Sequence, residues 1–141
     1  MNGKPSVLYI EDEEDDVFFM RNAFKRLGME ECFHAVPDGE RAMAYLTGGD
    51  PYTDRDRFPM PTIVLLDLSL PVLSGFEVLA WVRRHPQFRG VPVVVFSASV
   101  RADDRQRAEE LGATAFLPKP TSGGQFLDMV GRLKTTWLCT G

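Results

Sequence analysis

Two short apolar runs in the sequence each end in acidic residues. Val7–Ile10 leads into Glu11 and Asp12, and Ile63–Leu66 leads into Asp67. Continuous aliphatic runs of this length are typical of parallel strands that are buried on both faces. Because ligands of open α/β sheets bind beyond the carboxyl ends of the strands, the three carboxylates are predicted to share one site, the acidic pocket. Such a cluster needs a cation, and an all-oxygen ligand set favours a hard ion, Mg²⁺ or Mn²⁺.

Composition limits the class of protein. The 141 residues, 44% hydrophobic and 26% charged, are typical of one soluble globular domain. A net charge of -4 without a basic run argues against nucleic-acid binding. The sequence has neither an apolar stretch of the ~20 residues that a membrane span needs nor a signal peptide, so a cytoplasmic protein is expected. Cys32 and Cys139 lie far apart, which favours reduced thiols over a disulfide or a metal site.

Strand and helix patterns alternate along the chain. Five strands are predicted, at Ser6–Ile10, Glu31–Ala35, Thr62–Leu66, Val91–Phe96 and Thr114–Leu117. Five helices are predicted, at Asp15–Leu27, Gly39–Leu46, Gly75–His85, Ala102–Leu111 and Ser122–Leu138. Strict alternation with short connections predicts right-handed crossovers and a parallel sheet covered on both faces. The connection 47–61 is longer than the others and is either functional or a permissive insertion.

Chemically active side chains follow four of the predicted strands. Glu11 and Asp12 follow the first strand, Asp67 the third, Ser97 the fourth and Lys119 the fifth. Taken alone, an acid or a serine after a strand is more often a helix cap, and a lysine is more often solvated. In a parallel sheet, however, all of these positions lie on one edge. The hypothesis of a reactive site therefore depends on their convergence.

Four segments in this order carry a family resemblance: Val7–Asp12, Leu65–Pro71 with Gly75 after it, Ser97–Ala98 and Lys119–Pro120. Together they resemble the receiver domain of two-component response regulators over almost the whole chain. The resemblance implies a flavodoxin-like (βα)5 fold with five parallel strands in the order 2-1-3-4-5. It also implies Mg²⁺-dependent phosphorylation of an aspartate.

The resemblance assigns a role to each residue of the acidic pocket. Asp67 corresponds to the phosphoryl acceptor, whose carboxylate forms an acyl phosphate. Asp12 would bind the metal directly and Glu11 would support it through water. The backbone carbonyl of Ser69 would supply a further oxygen ligand. A divalent ion among these groups is the expected catalyst, because phosphoryl transfer depends mostly on positioning and charge neutralisation.

Further roles concern the switch. The Ser97 hydroxyl and the Lys119 ammonium would each bind a phosphoryl oxygen. Pro120 resembles the family's cis proline, which would aim Lys119 inward. Phe116 stands at the family's rotameric aromatic position, and the hypothesis is that it turns inward on phosphorylation. The alternative is that Phe116 is an ordinary apolar side chain.

Three segments point to a narrower group within the family. The connection 47–61 with Tyr52–Arg55, the segment His85–Arg89 and the end Thr136–Leu138 resemble stand-alone response regulators of phytochrome-type histidine kinases. The expectation is one receiver domain over residues 1–141 without an output domain. Its expected partner is a sensor histidine kinase, and Phe18 on the first helix either helps to dock that kinase or is an ordinary exposed aromatic side chain. The phosphoryl group either passes on to a histidine phosphotransfer protein or controls the contacts of an adaptor. A homodimer through the last two helices and the fifth strand is also compatible with the resemblance.

Other functions fit the residues less well. An aspartate-nucleophile phosphatase needs a second Asp two residues after Asp67, where this sequence has Ser69. No Gly-rich phosphate loop occurs, and His34 and His85 are too far apart in sequence to indicate a zinc site or a triad. The main alternative is a receiver-like adaptor that works without phosphorylation, although such proteins usually lack one of the acids or the lysine.

Overall fold

A five-stranded parallel sheet forms the centre of the fold. The computed structural model describes residues 5–98 and 101–138. The strands are β1 (Val7–Ile10), β2 (Phe33–Val36), β3 (Ile63–Asp67), β4 (Val93–Ser97) and β5 (Ala115–Pro118). Their spatial order is β2-β1-β3-β4-β5, which confirms the predicted order and the flavodoxin-like fold.

Helices cover both faces of this sheet. They are α1 (Glu14–Arg26), α2 (Gly39–Thr47), α3 (Gly75–Arg84), α4 (Ala102–Glu110) and α5 (Gly123–Leu133). Successive side chains of β1 alternate between the faces, so Tyr9 packs among α1 and α5 residues while Leu8 packs among those of α2 and α3. No helix among the described residues is long and apolar enough to cross a membrane.

Most predicted elements agree with the structure to within two residues at their ends, and two of them also contain a change in the type of element. The predicted second strand included Glu31 and Cys32, but these residues belong to a 3-10 turn, Glu30–Cys32, and the strand begins at Phe33. The predicted last helix is α-helical only to Leu133 and continues as a π-helical turn, Lys134–Leu138. Cys32 is a free thiol that donates to the Met29 carbonyl, and Cys139 lies outside the described residues.

Arg55 organises the long connection 47–61. Its guanidinium donates to the carbonyl of Tyr45 at 2.7 Å, to that of Leu46 at 2.7 Å and to that of Phe58 at 3.0 Å. The bonds to Tyr45 and Leu46 help to cap the last carbonyls of α2, and the bond to Phe58 ties the connection to the same helix end. Because the connection runs from the end of α2 to the start of β3, it lies at the amino edge of the sheet, opposite the acidic pocket.

Candidate functional site

The acidic pocket lies where the neighbouring strands β1 and β3 end. Ile10 of β1 is in register with Leu66 of β3, so Glu11 and Asp67 leave the sheet side by side. Glu11 and Asp67 are buried and Asp12 is exposed. One carboxylate oxygen from each of these three residues lies within 4.8 Å of the other two. The structure thus brings together the three acids that the sequence pattern placed on one edge.

Glu11 is the most enclosed of the three carboxylates, with 1% of its surface exposed. Burial, together with the charge of Asp67, raises its pKa, while hydrogen bonds from Lys119 and from the Glu13 amide lower it. The net direction is upward. The hydroxyl of Tyr9 donates to Glu11 Oε1 at 3.1 Å, and burial raises the pKa of this tyrosine so that it remains a donor. Glu11 is therefore held in a fixed position by hydrogen bonds on both of its oxygens.

Lys119 provides the positive charge of the site. Its Nζ lies 2.8 Å from Glu11 Oε1, 2.8 Å from Asp16 Oδ2 and 3.5 Å from Asp67 Oδ2. Burial lowers the pKa of Lys119, but the hydrogen bonds to Asp16 and Glu11 outweigh burial and raise it above its ordinary value. The backbone amide of Lys119 donates to the Ser97 carbonyl at 2.9 Å, which ties the lysine to the end of β4.

Asp16 is the residue of this site that sequence reasoning missed. It lies in the first turn of α1, and its side chain is 24% exposed. In the sequence it ends a run of six acids, Glu11–Asp16, of which those at 12–15 are exposed. Such a run at a helix start is usually a solvated N-terminus. No local sequence signal singles it out, because its contact with Lys119 depends on how α1 packs against the sheet.

Ser97 and Ser69 lie beside the acceptor candidate. Ser97 is the last residue of β4, is 4% exposed and pairs with Pro118 of β5. The backbone amide of Ser69 donates to Asp67 Oδ1 at 3.2 Å. The chain therefore makes a local turn directly after Asp67. The predicted roles of the Ser97 hydroxyl and of the Ser69 carbonyl stay predictions.

The prediction of a cis peptide at Pro120 is wrong. Among the described residues the cis peptide bond is at Asp50–Pro51, and the Lys119–Pro120 bond is trans. Lys119 nevertheless reaches the acidic pocket, because it follows β5 directly on the edge where the acids lie. The lower-energy trans isomer is compatible with this placement.

Two aromatic side chains were singled out in the sequence. Phe116 is 7% exposed and packs in the core, and the guanidinium of Arg105 lies 5.6 Å from its ring centroid. The ring is thus already inward in this structure, and its movement on phosphorylation stays a prediction. Phe18 of α1 is 63% exposed, as expected for a residue off the buried face of that helix.

Comparison with known proteins gives the class. A sequence profile of the response regulator receiver domain matches residues 7–131, and the chain therefore belongs to this family. It is 34% identical over 135 residues to the probable methanogenesis regulatory protein FilR2 of Methanothrix harundinacea, covering 94% of this chain and 83% of FilR2. It is 31% identical over 134 residues to the response regulator Rcp1 of Synechocystis, covering 95% of this chain and 89% of Rcp1.

Solved structures support the narrower affiliation. The phosphorylated cyanobacterial phytochrome response regulator RcpA superposes with a TM-score of 0.88 at 29% identity, covering 99% of this chain and 97% of RcpA. The Mn²⁺-bound form of Rcp1 superposes with a TM-score of 0.83 at 31% identity, covering 97% of this chain and 96% of Rcp1. These similarities confirm the predicted resemblance to response regulators associated with phytochromes.

Proposed function

We propose that this protein accepts a phosphoryl group on Asp67 from the phosphohistidine of a sensor histidine kinase, in a reaction that needs a divalent cation. The observation that carries the proposal is the meeting of Glu11, Asp12 and Asp67 around one point, with the Lys119 ammonium beside them. One basic and three acidic groups on the rim of a parallel sheet form a site for a cation and a phosphoryl group.

The residues of the acidic pocket fit a hard divalent ion. Carboxylate oxygens are the ligands that Mg²⁺ and Mn²⁺ take in proteins, and these three lie close enough to share one ion. The Ser69 carbonyl, two residues after Asp67, is the proposed fourth protein ligand. A bound ion would neutralise charge between the acceptor and the incoming phosphoryl group. The Mn²⁺-bound relative Rcp1 supports a divalent ion at this site.

The chemistry is a transfer between two protein side chains. A carboxylate oxygen of Asp67 bonds to the phosphorus, the P–N bond of the phosphohistidine breaks, and its electron pair stays on the imidazole. Lys119 and Ser97 bind the oxygens of the transferred group through charge-assisted hydrogen bonds. Asp67 itself is buried, with 2% of its surface exposed.

The proposed partner is a phytochrome-type sensor histidine kinase in the cytoplasm. The affiliation with RcpA and Rcp1 supports this partner, and exposed Phe18 on α1 lies on a helix that flanks the acidic pocket. The signal then passes by protein contacts or by onward transfer to a histidine phosphotransfer protein. If the signal passes by protein contacts, binding or dimerisation should change on phosphorylation. If it passes by onward transfer, the phosphoryl group should move rapidly to the phosphotransfer protein.

Intact-mass spectrometry tests the acceptor. Wild-type protein incubated with Mg²⁺ and acetyl phosphate should gain the mass of one phosphoryl group, and Asp67→Asn should gain none. Asp56→Asn is the matched control, because Asp56 is exposed in the connection at the opposite edge of the sheet. Equal uptake by wild type and Asp67→Asn would contradict the assignment. No uptake by wild type would favour the adaptor that works without phosphorylation.

A further inference from the structure

We propose that Asp16 is a positioning residue that holds the Lys119 ammonium toward α1 and keeps it from pairing closely with Asp67. The inference deepens the proposed function and rests on it. It starts from the unequal distances at Lys119 Nζ, which are 2.8 Å to Asp16 but 3.5 Å to Asp67. A contact of 3.5 Å is at the limit of a hydrogen bond, whereas one of 2.8 Å is a short charge-assisted bond.

A lysine ammonium has three donors on a flexible stem, so its position depends on its partners. Glu11 and Asp16 each take one donor at 2.8 Å, and the two carboxylates belong to different elements. Glu11 follows β1, and Asp16 is fixed in the first turn of α1. The ammonium is therefore held between the strand end and the helix, with only its weakest contact directed at Asp67.

The position of Asp16 separates it from the proposed metal ligands. The carboxylates that approach one another within 4.8 Å are those of Glu11, Asp12 and Asp67. Asp16 contacts Lys119 instead, at 2.8 Å, and its side chain is 24% exposed. Its influence on Asp67 consequently acts through the lysine.

Removal of the Asp16 charge should change the position of the Lys119 ammonium. With one strong partner lost, the ammonium is drawn to the nearest remaining carboxylates, Glu11 and Asp67. A closer ion pair between Lys119 and Asp67 withdraws negative charge from the Asp67 oxygen that attacks phosphorus. It also repels the cation that has to bind the same carboxylate. Asp16 thus keeps the acceptor carboxylate available while the lysine stays within reach of an incoming phosphoryl group.

The first test is the rate of phosphoryl uptake from acetyl phosphate with Mg²⁺, measured by intact mass. Asp16→Asn should slow uptake by about threefold or more, and Asp16→Glu should restore much of the rate. Asp15→Asn is the matched control: it removes the same charge from the same helix turn, but Asp15 is exposed. Asp15→Asn should change the rate by less than about 1.5-fold.

The second test shows whether Asp16 acts through Lys119. In a Lys119→Met background, Asp16→Asn should have no further effect on uptake, because the residue that it positions is absent. In addition, the side-chain ¹⁵Nζ resonance of Lys119, one of only four lysines, should shift in Asp16→Asn but not in Asp15→Asn. This spectroscopic readout needs no phosphoryl group and no metal.

The outcomes separate the two proposals. Three results would each overturn the role of Asp16 while leaving Asp67 as the acceptor. The first is an equal rate for wild type and Asp16→Asn, and the second is an equal effect of Asp15→Asn and Asp16→Asn. The third is an effect of Asp16→Asn that is undiminished in the Lys119→Met background. A wild type that takes up no phosphoryl group would overturn the proposed function, and with it the role of Asp16 in uptake.

Discussion

Gly75 packs directly against the backbone of Asp67. A Cβ atom at position 75 would lie 2.5 Å from the Asp67 carbonyl oxygen and 2.6 Å from the Leu68 Cα. The amide of Gly75 also donates to the Leu68 carbonyl at 3.0 Å. The start of α3 is thus pressed against the strand end that presents the acceptor candidate, and no side chain fits between them.

Gly75→Ala should therefore destabilise the protein and displace Asp67. The added methyl group meets backbone atoms, which cannot rotate away, so we expect the free energy of unfolding to fall by about 2 kcal/mol or more. Urea unfolding measures this change. Gly131→Ala is the control, since a Cβ at Gly131 of α5 meets nothing within 4 Å and should stabilise the helix by about 0.5–1 kcal/mol. Equal effects of the two substitutions would contradict the contact.

Arg83 joins α3 to two other segments of the fold. Its guanidinium donates to the carbonyls of Gly112 at 2.9 Å and Val91 at 2.7 Å, and to that of Arg89 at 2.9 Å. A lysine cannot bridge these acceptors, so Arg83→Lys should lower the free energy of unfolding by about 2 kcal/mol. In contrast, Arg84→Lys, at an exposed position of the same helix, should change it by less than about 0.5 kcal/mol. A negligible effect at both positions in chemical denaturation would disprove the bridging role.

Val72 has a left-handed backbone conformation, with φ of 65°, and is 91% exposed. A β-branched residue is strained there, whereas asparagine tolerates this region. Val72→Asn should raise the free energy of unfolding by about 1 kcal/mol. Thr53→Asn makes the same kind of change at an exposed residue outside the left-handed region, and should have an effect within about 0.5 kcal/mol. Thermal and urea unfolding that show no gain for Val72→Asn would rule out strain at this loop.

His34 should make stability depend on pH. Its ring is half-buried, 5.9 Å from that of Tyr45 and 6.5 Å from that of Phe58, and burial followed by the charge of Arg21 lowers its pKa. Because the unfolded chain then binds the proton more readily, the contribution of His34 to the free energy of unfolding should fall as the pH decreases below about 6.5, the ordinary pKa of histidine.

The comparison with His34→Gln isolates this contribution. Urea unfolding between about pH 7.5 and pH 5 should show the stability advantage of wild type over His34→Gln shrinking as the pH falls. Above the ordinary pKa both states of wild type carry a neutral imidazole, so the difference should be constant there. A difference that stays constant over the whole range would show that His34 titrates equally in the folded and unfolded chains.

Divalent-cation affinity tests the charges of the acidic pocket. Asp12→Asn removes a proposed ligand and should weaken Mg²⁺ binding by about tenfold or more. Lys119→Met removes a positive charge 3.5 Å from Asp67 and 2.8 Å from Glu11, and should strengthen Mg²⁺ binding. Isothermal titration calorimetry measures both, with Asp56→Asn as the distant control. Stronger binding by Asp12→Asn, or weaker binding by Lys119→Met, would place the ion elsewhere.

The strand order and the acidic pocket could be predicted because both follow from local patterns. Buried runs such as Val7–Ile10 show the parallel strands, and the shared edge of a parallel sheet then brings Glu11 and Asp67 together whatever the details of packing. The ends of elements were less predictable. The apolar stripe of the last helix continues to Trp137, but it does not distinguish an α-helix from the π-helical turn that begins at Lys134.

The contacts of Lys119 depended on three-dimensional packing that local patterns do not contain. Its approach to Asp67 followed from its place after β5, whereas its partnership with Asp16 requires the orientation of α1 against the sheet. The prediction of a cis bond at Pro120 came from resemblance alone, and the structure has a trans bond there. The inward position of Phe116, beneath the Arg105 guanidinium, was likewise visible only in the packed structure.

Chemical trapping of the phosphorylated residue tests whether Asp67 receives a phosphoryl group with the help of a cation bound beside it. Borohydride reduction of protein treated with acetyl phosphate converts an aspartyl phosphate to homoserine, and peptide mass spectrometry then locates it. We expect homoserine at position 67 when Mg²⁺ is present and none when EDTA replaces it. Homoserine at another aspartate would show that Asp67 is not the acceptor, and homoserine at position 67 to the same extent with EDTA would show that no cation is needed.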